Sequence, residues 1–176
     1  MKKISFLFII CFLFFGFNSG NAQVKLILSG GVQVPTGDFK NVNDVGYGGS
    51  ADVEFSLPLV GPTFFVSAGY DRWKISNTDY SNTFVPILGG VKYFFGTPGG
   101  LVTLYFGGAL GIAIISNNIP DIGLFRNPGS ESKFMWSPSV GVRLSNIDFN
   151  AKYQSFSSGG STVSWFGLNL GIVLGR

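Results

Sequence analysis

Histidine is absent from this 176-residue chain, and the only cysteine is Cys11, close to the amino terminus. Without histidine, the chain cannot form a Ser-His-Asp triad or a metal site built on imidazole. Without cysteine after residue 11, the remainder has neither a disulfide framework nor a thiolate nucleophile. We therefore expect no enzymatic activity, no catalytic residues, no cofactor and no metal.

Charged residues are also scarce, at 12% of the chain, which is about half of the share in soluble domains. Twelve Lys and Arg residues face nine Asp and Glu residues, but Lys2 and Lys3 lie in the leader, which leaves ten against nine. This balance gives no sign of a nucleic-acid partner. Beyond residue 22 no apolar run is long enough for a transmembrane helix, which argues against a helical membrane protein.

The first 22 residues have the three parts of a secretory signal peptide. Lys2 and Lys3 give a positive start, an apolar core of about 14 residues follows, and Gly20 and Ala22 are the small residues that a signal peptidase reads. We predict cleavage after Ala22, export through the Sec pathway and a single mature domain over residues 23–176. An uncleaved anchor helix is the alternative, but the apolar core is short for a bilayer.

Glycine and phenylalanine are abundant, with 26 and 19 residues. Glycine opposes helices and phenylalanine favours strands, so the composition predicts an all-β fold. Alternating patterns predict eight strands, each near or above the ten or so residues that a tilted strand needs to cross a bilayer. The predicted strands are Val24–Val34, Tyr47–Leu57, Thr63–Trp73, Phe84–Phe95, Leu101–Ile115, Phe134–Ser145, Ile147–Phe156 and Val163–Leu174.

The connections between these strands alternate in length. Long polar segments follow strands one, three and five, short turns follow strands two, four and six, and the seventh connection is intermediate. Outer-membrane barrels show this asymmetry, with long extracellular loops and short periplasmic turns. Along each strand a bulky apolar set alternates with a small or polar set. A membrane barrel turns the apolar set outward and a soluble barrel turns it inward, so alternation alone does not decide between them.

The placement of aromatic residues favours the membrane barrel. One group lies near strand ends next to long connections: Tyr47, Tyr70, Trp73, Trp136 and Trp165. A second group lies near the short turns: Tyr93, Phe95 and Phe149. Because such rings prefer membrane–water interfaces, we predict two aromatic belts. The fold prediction is thus an eight-stranded antiparallel up-and-down transmembrane β-barrel, with a soluble secreted lipocalin-like barrel as the alternative.

With the polar set inside, eight charged side chains point into the barrel. They are Lys25, Asp52, Glu54, Asp71, Lys92, Arg143, Asp148 and Lys152. The signs balance, and an eight-stranded barrel has an interior just filled by side chains, so we expect a closed salt-bridge network. The alternative is an ion pathway or an acid–base pair of Asp52 and Glu54. A bulge near Trp73 would turn Asp71 to the other face.

The longest connection contains three apolar residues among polar ones: Ile122, Leu124 and Phe125. They could form an interaction tip, although such a cluster more often folds back onto the barrel rim.

Four segments, in their order and spacing, carry a resemblance to a known family. They are SGGVQVPTGDF, FVSAGYDRWKIS, VPILGGVKYFF and WFGLNLGIVL. Over the whole mature chain the sequence resembles the small outer-membrane β-barrel proteins of Gram-negative bacteria, the eight-stranded OmpA/OmpX-like group. The resemblance implies an outer-membrane location and no assigned chemistry. Such barrels often end on an aromatic residue that the assembly machinery reads, whereas this chain ends in IVLGR.

The sequence therefore predicts a non-catalytic, monomeric outer-membrane protein with a structural or surface-interaction role. The expected partners are outer-membrane lipid, the outer-membrane assembly machinery and an extracellular ligand bound through the long loops. A narrow pore or hydrophobic-ligand conduit is the second hypothesis, and an enzyme on the barrel rim is the third.

Overall fold

The computed structural model describes residues 23–56, 61–76, 80–95, 101–117, 131–158 and 160–175. They form eight antiparallel strands in sequence order, and the last strand pairs with the first, which closes a barrel. The strands are β1 (Gln23–Thr36), β2 (Gly46–Ser56), β3 (Thr63–Lys74), β4 (Ser81–Phe95), β5 (Val102–Asn117), β6 (Glu131–Leu144), β7 (Ile147–Ser158) and β8 (Ser161–Leu174). The predicted all-β fold and its eight strands are confirmed.

Two ends of the barrel are distinguished by their connections. At the turn end, β2–β3, β4–β5 and β6–β7 are joined, and at the loop end the other consecutive strands are joined. A short 3₁₀ helix that the sequence patterns did not predict, Gly37–Asn41, follows β1 at the loop end. The predicted signal peptide and the residues Ile122, Leu124 and Phe125 lie outside the described residues. In the described ranges no helix is long and apolar enough to span a membrane.

The strand registers determine how far the barrel is sheared. Stepping from each residue to its partner on the next strand gives the path Leu26, Val53, Val66, Gly89, Leu110, Trp136, Ser155, Ser164, Thr36. The path returns to β1 ten residues from its start. Ten residues over eight strands gives a strand tilt of about 40° and a backbone diameter of about 16 Å. A barrel this narrow has an interior that side chains fill.

Three prolines lie in strands: Pro35, next to the last residue of β1, and Pro86 and Pro138 in the interiors of β4 and β6, where each removes a backbone donor from the sheet. The β3–β4 pairing is interrupted opposite Pro86, and the β6–β7 pairing is interrupted opposite Pro138. In both places the pairing resumes in the same register, so neither interruption is a bulge. Asp71 therefore stays on the inner face of β3, where its side chain is buried.

The outer wall carries the apolar set of each strand. In β5, Leu104, Phe106 and Leu110 are about half exposed, whereas Tyr105 and Ala113 are buried. Every strand contributes exposed apolar side chains, among them Leu28, Tyr47, Val66, Ile87, Leu110, Val140, Phe149 and Leu170. Soluble monomers rarely expose an apolar patch larger than a few hundred Å², and this surface encircles the barrel. Apolar side chains outside and polar ones inside is the arrangement of a membrane barrel.

The interior at the loop end is filled by an aromatic plug, which consists of Phe39, Trp73, Phe84, Phe156 and Trp165. The rings of Trp73 and Trp165 meet edge to face with centroids 4.9 Å apart, and Phe39, from the 3₁₀ helix, lies 5.3 Å from Trp73. Both indole N–H groups are satisfied, because Trp73 donates to the carbonyl oxygen of Gln33 and Trp165 donates to Oε1 of Gln154.

The prediction that Trp73 and Trp165 belong to an outer belt is therefore wrong. Both side chains are fully buried inside the barrel, because they share strand parity with inward residues such as Asp71 and Asn169. The other predicted belt residues do face outward, and they are Tyr47, Tyr70, Trp136, Tyr93, Phe95 and Phe149.

Candidate functional site

Glu54, on the inner face of β2, is the centre of a charge network at the turn end. It accepts hydrogen bonds from Nη1 and Nη2 of Arg143, both at 2.9 Å, and from Nζ of Lys92 at 2.8 Å. Arg143 also donates from Nε and Nη2 to Oδ2 of Asp148, at 3.0 and 2.9 Å. One guanidinium thus joins two buried carboxylates from opposite sides of the lumen, in the geometry that makes such hydrogen bonds strong.

The strand pairing explains how Arg143 and Asp148 come together. A two-residue turn, Ser145–Asn146, joins β6 to β7 and makes these two residues Cα partners across the hairpin. Tyr105 completes the shell of Asp148 by donating its hydroxyl to Oδ1 at 2.8 Å. Its ring lies over Gly141, where a Cβ would lie only 2.5 Å from the Tyr105 oxygen. Gly141 is therefore required for the tyrosine to reach Asp148.

A second group of charges lies around Asp52, one inward position further along β2. Oδ1 of Asp52 accepts a 2.6 Å hydrogen bond from Ser67, and Oδ2 lies 3.7 Å from Lys92 Nζ and 3.9 Å from Lys152 Nζ. Lys92 therefore connects Asp52 to Glu54, while Lys152 also contacts Oγ of Ser50 at 3.2 Å. The two carboxylates of β2 share one lysine and are each paired with further cations.

A chain of amide side chains extends the network toward the aromatic plug. Asn150 donates to Asp148 at 2.9 Å, Asn169 donates to Oδ1 of Asn150 at 3.1 Å, and Gln33 donates to Oδ1 of Asn169 at 3.1 Å. These amides, with Tyr105, belong to the interior network, and a search for charged side chains missed them. Their strand parity, which is that of the inward charges, is the signal that could have found them.

Solved structures with the same architecture identify the fold. Neisserial surface protein A aligns with a TM-score of 0.66 and 16% identity, over 89% of this chain and 99% of that chain. The chain has the fold of the small eight-stranded outer-membrane β-barrels. The outer-membrane enzyme PagL aligns with a TM-score of 0.57 and 15% identity, over 85% of this chain and 98% of its own. Ail of Yersinia pestis, in complex with the heparin analogue sucrose octasulfate, aligns with a TM-score of 0.53 and 16% identity, over 87% of this chain and 99% of that chain.

No protein-family model matches the chain, and no curated protein matches it in sequence. At 15–16% identity the likeness shows the fold alone. The neighbours include an enzyme as well as a surface protein, so the fold does not decide the function. That question depends on the residues of this barrel.

The structure brings six of the eight predicted lumen charges into one network: Asp52, Glu54, Lys92, Arg143, Asp148 and Lys152. Lys25 is half-buried at the turn end and forms no ion pair within the described part of the chain. Asp71 is buried, yet no hydrogen bond or ion pair joins it to another described residue. The two exceptions lie at opposite ends of the inner polar surface.

The arrangement offers little for catalysis or metal binding. The carboxylates of Asp52 and Glu54, the candidate acid–base pair, are both occupied by cations, so neither is a free proton acceptor. Among the residues that the structure describes, no cluster of three or more potential ligands is placed to hold a metal ion. What the interior does offer is cross-links between opposite walls.

Proposed function

We propose that the protein is a non-catalytic β-barrel of the outer membrane of a Gram-negative bacterium, with an interior closed to ions. The observation that carries the proposal is the combination of an apolar outer wall on all eight strands with an ion-paired interior. In hydrocarbon every backbone polar group needs an internal partner, and a closed barrel supplies one without exposed edges.

The proposed orientation follows from the two ends. The turn end lies in the periplasm and the loop end at the cell surface, because outer-membrane barrels have short periplasmic turns and long external loops. The leader predicted over residues 1–22 supports export. The expected partners in this setting are lipid around a monomeric barrel and the assembly machinery that inserts it.

The proposed role is structural, with surface interactions through the long connections at the loop end. Two layers support a closed lumen: the charge network near the turn end and the aromatic plug near the loop end. An ion that crossed the barrel would have to disrupt both the charge network and the aromatic plug. One neighbour with the same fold, Ail, has been solved with a heparin analogue, which supports ligand binding on this scaffold.

The proposal is tested by fractionation and by conductance. We expect the protein in the outer-membrane fraction, with a gel mobility that changes on heating, and we expect no steady current when the purified protein is added to planar bilayers. Regular single-channel steps would support the narrow pore or conduit instead. A protein that stays soluble without lipid or detergent would contradict the membrane location itself.

A further inference from the structure

A small polar cavity lies inside the barrel between the charge network and the aromatic plug. Its volume is about 20 Å³, and its lining includes Gln33, Asp71, Lys152, Gln154 and Asn169. A polar cavity needs roughly 10–15 Å³ to hold one water molecule and two to four polar partners to retain it. The cavity therefore has the size and the lining of a site for a single water molecule.

Two hydrogen-bond acceptors that line this cavity have no donor among the described residues. Oε1 of Gln33 is a buried atom, and in the described part of the chain it has no hydrogen-bond partner. Asp71 is 4% exposed, and no hydrogen bond or ion pair joins its carboxylate to another residue of the described ranges. Buried polar groups are almost always hydrogen-bonded, because leaving one unsatisfied carries the full penalty of desolvation. Both groups are acceptors, so a ligand that donates hydrogen bonds would satisfy both of them.

Two glycines make room for these acceptors. A Cβ on Gly48 would collide with Oδ1 of Asp71, and a Cβ on Gly167 would collide with Oε1 of Gln33. Gly48 belongs to β2 and Gly167 to β8, the strands on either side of β1. The two acceptors therefore occupy space over the two neighbours of β1, on the inner side of the wall, and both residues line the same cavity.

Lys152 supplies the complementary donor. Its ammonium group contacts Ser50 at 3.2 Å and lies 3.9 Å from Asp52, so it has further protons to donate into the cavity that it lines. We propose that the cavity binds one water molecule, which donates its two hydrogens to Asp71 and to Oε1 of Gln33 and accepts one from Lys152. Three hydrogen bonds are the usual number for a buried water.

This water would connect two branches of the interior network. One branch runs from Asp148 through the amides to Gln33, and the other runs from Lys152 through Asp52 and Lys92. Since both branches meet again at Glu54 and Arg143, the water closes a ring of hydrogen bonds and ion pairs inside the barrel. The inference goes beyond the proposed function, because it concerns the interior whether or not the barrel conducts.

The first test is a crystal structure of the full mature chain, at a resolution that shows ordered water, with crystals soaked in rubidium chloride. We expect one peak within hydrogen-bond distance of Asp71, Gln33 and Lys152, without anomalous signal at the rubidium edge. A rubidium signal at the site would replace the water with a monovalent cation and overturn the proposal. Absence of any peak would overturn it as well.

The second test uses Gln33→Met, which keeps the length of the side chain and removes the acceptor, together with Asp71→Asn. If one water joins the two residues, the effects of the two substitutions on the unfolding equilibrium constant should deviate from multiplicativity by roughly tenfold. Ser137→Ala is the control, because Ser137 is buried and does not line the cavity. Combined with Asp71→Asn it should be multiplicative within about twofold. Equal behaviour of both pairs would contradict the shared water.

Discussion

Replacing Arg143 with Met removes the guanidinium that joins Glu54 and Asp148. Four hydrogen bonds of 2.9–3.0 Å are lost, and both carboxylates are about 1% exposed, so water does not take their place. Glu54 keeps its contact with Lys92 at 2.8 Å, whereas the donors that Asp148 keeps among the described residues, Tyr105 and Asn150, are neutral. The main penalty is therefore one buried carboxylate without a cation. Breaking a buried ion pair in this way costs about 3–5 kcal/mol.

The assay is equilibrium unfolding in urea with the barrel in lipid vesicles, followed by tryptophan fluorescence. The control on the same strand is Lys133→Met, which removes a partly exposed ion pair with Glu131 and should change stability by less than about 1 kcal/mol. Adding Asp148→Asn to Arg143→Met should restore part of the loss, because the unpaired charge is then gone. A loss below about 1 kcal/mol for Arg143→Met, or no recovery in the double variant, would refute the reasoning.

Three further predictions concern the wall, the packing and the leader. Phe106→Arg, near the middle of β5, should lower the free energy of unfolding in vesicles by about 2–4 kcal/mol, and Val102→Arg, at the start of β5, by only about 0–1 kcal/mol. Equal, severe losses for both variants would indicate a soluble barrel with these residues in its core. Gly141→Ala should destabilise by about 1–3 kcal/mol because a tyrosine ring occupies the space of its Cβ, while Gly108→Ala, with open space there, should be neutral in the same unfolding assay. Mass spectrometry of the native protein should show Gln23 as the first residue, and an intact leader in the membrane fraction would contradict this.

The sequence predicted the strands well because the period of two is a local property. Alternation over ten or more residues locates a strand and assigns its faces, and the observed strand ends differ from the predicted ones by no more than three residues where both are described. The same parity would have placed Trp73 and Trp165 inside the barrel. The belt prediction failed because it weighed the preference of aromatic rings for interfaces above the alternation of the strand.

The contacts across the lumen could not be predicted in the same way. Glu54 and Arg143 are 89 residues apart, on strands that do not pair, and they meet only because the ten-residue shear brings these positions to the same height. Phe39 enters the plug from a 3₁₀ helix, whose position depends on the rim that it covers. That no described residue forms a hydrogen bond or an ion pair with Asp71 likewise depends on which neighbours reach the cavity.

Because Arg143 cross-links distant strands, the interior charges are fully paired only after all of these strands are in place. Asp52 and Glu54 both come from the second strand, and Lys92 of the fourth strand pairs with both of them. Their further cations, Lys152 and Arg143, come from the seventh and sixth strands, so a partly inserted chain that lacks these strands has two carboxylates for one described cation. An unfinished barrel would therefore hold one of these negative charges without a cation, and the finished barrel pairs both carboxylates. Insertion and closure should consequently be a single cooperative event. Tryptophan fluorescence from the plug and heat-dependent gel mobility should then report the same transition midpoint. Two separate midpoints would show that the barrel closes before its interior ion pairs form.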